Sequence, residues 1–338
     1  MTAEILSTYT SALFAAAVKR AAKLLRAGEV VALPTETVYG LAANAFDEKA
    51  VAKIFQIKDR PANNPVIVHI ASGEMAKRCV TAWPDPAEKL ARAFWPGPLT
   101  LVLPCAKGIP GRVTAGGKTV GVRWPGHPFI QAVIRECGFP LAAPSANLSG
   151  RVSPTTAEHV RKQIGGKISL IVDGGQSQVG IESTVLDLTV LPPQVLRPGM
   201  IHTESLAAVI GEVRSQKSEV NSEHGETLRS PGRLRRHYSP KARLLVLSWR
   251  DDADLHSQVS SLKSQLLDYH VIAHTHIPSA EHFARVSVIP HDAKAFARAI
   301  YAELHRCDAA GAGLIVVETP PDSPEWSGIA DRLRRASA

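Results

Sequence analysis

Several things are scarce in this chain, and each scarcity removes a class of protein. There are 4 cysteines in 338 residues (Cys79, Cys105, Cys137 and Cys307), and no two form a C-x-x-C pair. That excludes a disulfide framework or a cysteine-built zinc cluster and leaves buried thiols. Aromatic residues amount to 5%, and they do not interleave with a basic run as a stacking nucleic-acid surface requires. No apolar run approaches the roughly 18 residues of a membrane span. No basic stretch precedes the first apolar one, so a signal peptide is not read and a cytoplasmic protein without a membrane partner is expected. Internal repeats and low-complexity tracts are absent. Of the 13 histidines, only His274-Thr-His276 is a tight pair, and it has no metal-ligand spacing around it.

What is present is an ordinary packed composition, 45% hydrophobic and 21% charged. The length fits two domains at roughly 150 residues each. Net charge is +8, unevenly spread: residues 1–211 hold 22 Lys and Arg against 15 Asp and Glu, whereas residues 241–338 are close to neutral. An anionic ligand such as a nucleotide or nucleic acid therefore belongs to the first part of the chain.

Apolar periodicity predicts helices over Ser11–Arg26 (capped by Ser11), about Asp47–Ile57, Pro86–Phe94, Pro128–Cys137 and Thr156–Ile164. Strands are expected at Val30–Leu33, Val66–Ile70, Leu99–Leu103, Val120–Trp124, Leu170–Val172 and Thr184–Leu188. This interleaving reads as an α/β domain of mixed sheet over 1–211. Residues 212–240 are polar, rich in Ser, Gly and Pro, and read as a linker or lid. Residues 241–338 then read as a small parallel α/β domain. Its strands are expected at Ala242–Trp249, Val286–Ile289 and Leu314–Glu318, and its helices at Leu255–Leu267, Ala293–Arg306 and Gly328–Arg335.

Familiar nucleotide signatures fail. Gly116-Gly-Lys-Thr119 resembles the tail of a phosphate-binding loop, but Arg112 stands where glycine is needed and a strand, not a helix, follows. Instead, polar residues interrupt apolar strands at their ends in six places. These are Pro34-Thr-Glu-Thr-Val-Tyr-Gly-Leu41; Lys58-Asp-Arg60 with Pro61 to His69; Thr119 and Arg123 in one strand; Ala143-Pro-Ser-Ala-Asn147 with Ser149-Gly150; Ile181-Glu-Ser-Thr-Val185; and Leu196-Arg-Pro-Gly199.

In this order the segments closely resemble the YrdC-like domain of threonylcarbamoyl-AMP synthases. His237-Tyr-Ser-Pro240 and the trailing domain match the longer, two-domain members. The pairs Lys58/Arg60 and Ser145/Asn147 are the most characteristic feature. The resemblance implies a twisted mixed-sheet YrdC-like domain followed by a Rossmann-like one. It also implies synthesis of L-threonylcarbamoyl-adenylate from L-threonine, bicarbonate (or CO2) and ATP, with release of pyrophosphate. The product feeds modification of the tRNA adenosine beside the anticodon, carried out by a separate transferase.

Carried over residue by residue, the implied threonine site is Thr37, His69, Arg123, Ala143 and Ser183. The implied ATP site is Arg60, Asn64, Thr119, Ser145, Ser153, Arg197 and, from the linker, Tyr238. Lys58, Arg60, Ser145 and Asn147 are the expected catalytic set, with Lys58 and Arg60 on triphosphate charge and Arg123 forking the threonine carboxylate. Mg2+ is expected to ride on ATP, since the sequence shows no carboxylate cage. Two other readings stand beside this one. An RNA-binding module, with tRNA as direct ligand, fits the basic charge but leaves Thr37, His69 and Ser183 without a task. A carbamoyltransferase with a related domain would carry C-x-x-C zinc-finger pairs, which are absent.

Overall fold

The computed structural model describes residues 2–215, 231, 237–260 and 269–338. It divides into two compact units, one of residues 1–149 and 153–234, the other of 150–152 and 235–338. The expected linker lies mostly outside the described residues, including Ser230, Gly232, Arg233, Arg235 and Arg236. No described helix is long and apolar enough to cross a membrane.

The first unit is built on one mixed sheet of eleven described strands. In chain order these are β1 (Glu4–Ser7), β2 (Val31–Leu33), β3 (Gly40–Asn44), β4 (Val68–His69), β5 (Leu99–Pro104), β6 (Thr119–Arg123), β7 (Leu141–Ala142), β8 (Leu170–Asp173), β9 (Thr184–Asp187), β10 (Gln194–Arg197) and β11 (Arg214–Ser215). Their order across the sheet is β1-β8-β2-β3-β7-β4-β6-β5-β9-β10-β11. Parallel and antiparallel neighbours mix: β4 runs parallel to β6, β5 antiparallel to β6 and parallel to β9. The mixed α/β reading therefore holds.

Local physics explains most elements. The helix Ser11–Arg26 buries Ala17, Val18, Ala21, Ala22 and Leu25 on one face, packing with Phe129, Ile130, Val133 and Ile134 of the helix Pro128–Cys137. Its cap is Thr10, whose hydroxyl accepts the Leu13 N–H, so the expected Ser11 is the first helical residue instead. The helix Glu48–Lys58 is capped by Asp47, which accepts from Lys49 and Ala50, and ends on Asp59 in the left-handed region (φ 51°). The expected strand at Val66–Ile70 shrinks to β4; the flanking Val66 and Ile70 donate their N–H groups to the carbonyls of Val113 and of Arg123 on β6. β3 was not expected from sequence, since Gly-Leu-Ala-Ala has little intrinsic strand preference. Pairing with β2 on one side and β7 on the other imposes it.

The second unit carries β12 (Arg243–Leu247), β13 (Tyr269–Ala273), β14 (Arg285–Val288) and β15 (Leu314–Glu318) in the order β12-β15-β13-β14, all parallel. This is the expected small parallel α/β arrangement. β13 was missed, because the apolar run before it reads as helix through Leu267. The paired histidines are structural: the buried Glu318 carboxylate accepts the N–H groups of His274, Thr275 and His276 at 2.7, 2.8 and 3.1 Å.

Candidate active site

The site starts from the turn after β2. Thr35 folds its hydroxyl back to accept the N–H groups of Thr37 and Val38, both at 3.2 Å, and donates to the Val38 carbonyl at 2.5 Å. Such a hydroxyl-closed turn is an alternative to continuing the strand. It brings Thr37 and Glu36 toward the end of β6, where Arg123 is almost wholly buried. Arg123 donates from Nη1 to Thr37 Oγ1 at 2.9 Å and from Nε to the Gly97 carbonyl at 3.2 Å. Its Nη2 lies 2.6 Å from Glu36 Oε1. Burial pushes the Glu36 carboxyl up, but the Arg123 charge and the Gly126 N–H outweigh it, so Glu36 sits below the usual carboxylate range.

His69 on β4 is in register with Arg123. Its ring is buried, and neither Nδ1 nor Nε2 has a hydrogen-bond partner. Burial first, and then the Arg123 charge, hold it well below the ordinary histidine range, which keeps it neutral. A buried imidazole with both nitrogens unsatisfied is costly and calls for an explanation such as a ligand. Ala143 closes this part through its N–H on the Ile67 carbonyl at 3.1 Å.

A second group forms where β5, β9 and β10 meet. Ser183 Oγ is 2.8 Å from Thr100 Oγ1, and Arg197 reaches it from β10, with Nη2 on Ser183 Oγ and Nε on the Ser183 carbonyl, both at 3.1 Å. Arg197 also donates to the Pro231 carbonyl at 3.3 Å. Ser153 donates to the neighbouring Glu182 carboxylate at 2.6 Å. Gly199 has to be glycine here, because a Cβ would stand 2.6 Å from the Thr184 nitrogen.

The third group is the pair of signature motifs. Lys58 is buried at the end of its helix, and its ammonium donates to the carbonyls of Ser145 (2.5 Å) and Asn147. It fastens the 145–147 loop. Burial, then the Arg60 charge, push this amine well below its usual range against the opposing pull of Glu182. Arg60 likewise ties its own loop, from Nε to the Asn64 carbonyl (3.0 Å) and from Nη2 to Asn64 Oδ1 (2.7 Å) and the Pro65 carbonyl (2.5 Å). Asn147 donates to the Leu148 carbonyl at 2.8 Å.

Thus Thr37, His69 and Arg123 converge, as do Ser183 with Arg197, Lys58 with Ser145 and Asn147, and Arg60 with Asn64. Thr119 does not join Arg123: the two occupy opposite ends of β6, about 13 Å apart for four strand steps. Tyr238 has a packed place in the second unit. There its ring centroid is 6.0 Å from that of Tyr301, and the Arg332 guanidinium lies 5.2 Å over it. Glu36, Thr100 and Glu182, which contact Arg123, Ser183 and Ser153, are not among the residues singled out from sequence. The usable signal for Glu36 and Glu182 was an acid lodged among small polar residues at a strand end.

Against known families, residues 23–199 match the domain described as Telomere recombination, shared by Sua5, YciO and YrdC, and residues 201–338 match the threonylcarbamoyl-AMP synthase C-terminal domain. The chain belongs to the threonylcarbamoyl-AMP synthase family. It is 41% identical over 323 residues to the threonylcarbamoyl-AMP synthase of Pyrococcus abyssi, covering 95% of this chain and 94% of that one. The Bacillus subtilis synthase is 50% identical over 230 residues, 68% of this chain and 66% of its own. Among solved structures, Sua5 of P. abyssi in complex with L-threonine superposes with a TM-score of 0.89 at 38% identity, covering 99% of this chain and 97% of that one. A synthase of this family is an enzyme.

Proposed function

We propose that the first unit binds L-threonine and ATP and joins them with bicarbonate (or CO2) into L-threonylcarbamoyl-adenylate, releasing pyrophosphate. The observation that carries the threonine site is the unsatisfied, buried imidazole of His69 beside the Arg123 guanidinium. In this reading Arg123 forks the carboxylate, Thr37, His69 and Ser183 take the hydroxyl and amine, and Ala143 shapes the wall. That the Pyrococcus abyssi relative was solved with L-threonine supports the choice of amino acid. The ATP residues of this unit are Arg60, Asn64, Thr119, Ser145, Ser153 and Arg197; Tyr238, expected with them from the resemblance, belongs to the second unit. Lys58 and Asn147 hold the loop that presents Ser145.

The neutral threonine amine attacks the carbon of CO2 and releases one N–H proton to solvent, giving a carbamate; starting from bicarbonate, water leaves. A carbamate oxygen then attacks the α-phosphorus of ATP, the bond to the β-phosphate breaks, and pyrophosphate departs. Neither step needs a protein nucleophile, so the chain contributes positioning and positive charge. Mg2+ is proposed to arrive with the triphosphate, lowering its charge. Among the described residues no group of three or more His, Cys, Asp or Glu side chains could hold a metal ion. The proposed partner is a transferase that moves the threonylcarbamoyl group to tRNA in the cytoplasm, with tRNA itself a candidate ligand of the basic first unit. The test mixes protein, ATP, L-threonine and bicarbonate. Threonine-dependent pyrophosphate and the carbamoyl-adenylate mass are expected, and absence of both refutes the reading.

A further inference from the structure

Resting on the threonine site just described, we propose that Glu36 is the positioning residue for Arg123, holding its guanidinium ready for the amino-acid carboxylate. Arginine has a long side chain and loses much rotamer freedom when a ligand fixes it. Here that freedom is already removed. Nε is committed to the Gly97 carbonyl, Nη1 to Thr37 Oγ1 and Nη2 to Glu36 Oε1. The contact with Glu36 is an ion pair and not a hydrogen bond, so Nη2 keeps its N–H groups and Nη1 keeps one, enough for a carboxylate fork. Of the three anchors Glu36 is the only charged one, and it makes the shortest contact, 2.6 Å.

Glu36 is itself held firmly. Thr35 closes the turn by accepting the N–H groups of Thr37 and Val38, and Val179 donates to the Glu36 carbonyl at 2.7 Å. Gly126 lies against the carboxylate, its Cβ position 3.4 Å from Glu36 Oε1. The Glu36 side chain is 13% exposed and that of Arg123 4%, so solvent screens the pair little. The formal charges cancel, which leaves the floor of the site neutral and matched to a zwitterionic amino acid rather than to a free anion. Ordering the arginine before the substrate arrives removes a cost that binding would otherwise bear.

The test uses the full chain and separate titrations of threonine and ATP. Glu36→Ala is expected to raise the threonine KM about tenfold, the loss of one charge-assisted anchor. Glu36→Gln retains an acceptor for Nη2 and is expected to recover part of that loss. The ATP KM should stay within about twofold. Because Glu36 acts through Arg123, adding Glu36→Ala to Arg123→Lys should raise the threonine KM no further than Arg123→Lys does by itself. An unchanged threonine KM in the folded Glu36→Gln and Glu36→Ala proteins overturns the proposal, as do equal rises for both substrates or additive effects in the double variant. If Arg123→Lys leaves the threonine KM untouched, the threonine-site reading itself falls, and this proposal with it.

Discussion

Lys58→Met separates a fastener from a phosphate ligand. Methionine matches the length and apolar stem of lysine but takes away the ammonium that the carbonyls of Ser145 and Asn147 accept from. Both hydrogen bonds are made by a side chain only 1% exposed, so water does not replace them. Hydrogen bonds involving a charged group contribute about 1.5–3 kcal/mol each. Relief of the desolvated amine offsets part of the loss, which gives a net destabilisation of about 3–5 kcal/mol. For a unit of this size each kcal/mol lowers the melting temperature by about 2–4 °C. Thermal unfolding without nucleotide, followed by circular dichroism, should therefore fall by about 6–20 °C. ATP affinity should drop as a consequence, because Ser145 and Asn147 sit in the loosened loop. A Lys58→Met protein that melts within 2 °C of the parent (well below the expected range) yet loses ATP binding would refute the argument and return Lys58 to the phosphates.

Gly199→Ala should destabilise by about 1–3 kcal/mol, read by urea unfolding, because the added methyl meets the Thr184 nitrogen at 2.6 Å and the Glu182 carbonyl at 2.9 Å. It should also raise the KM of both substrates, since Ser183 lies between those residues. For pH, the folded-state pKa of His69 lies below its unfolded value of about 6.5. Its contribution is therefore complete above that value and is lost as pH falls toward the folded pKa. Replacing it by Gln should flatten that acidic limb of the stability curve, and an unaltered slope would contradict a neutral buried imidazole. Threonine should be preferred over valine by up to about 10⁴-fold where the hydroxyl is well bonded. Competition between the two in the pyrophosphate assay checks this, and equal turnover removes the hydroxyl contact.

The long amphipathic helices were legible because their apolar spacing is local: Ser11–Arg26 and Pro128–Cys137 fold over the residues their periodicity marks. So were strands such as Leu314–Glu318, whose branched apolar residues leave little alternative. The motif residues were also visible in sequence, as polar groups breaking apolar runs at strand ends. Their partners were not. That Lys58 holds two main-chain carbonyls 87 and 89 positions away, or that Arg123 meets Glu36 of the turn after β2, depends on chain crossings that no local pattern encodes. β3 shows the same limit, since its small residues become a strand only between β2 and β7. By itself the sequence determined which residue types stand at the strand ends, and hence the chemistry available. Tertiary structure decided which of those residues face a ligand and which hold the others in place. Burial and hydrogen-bond satisfaction are properties of the packed chain and not of any segment of it.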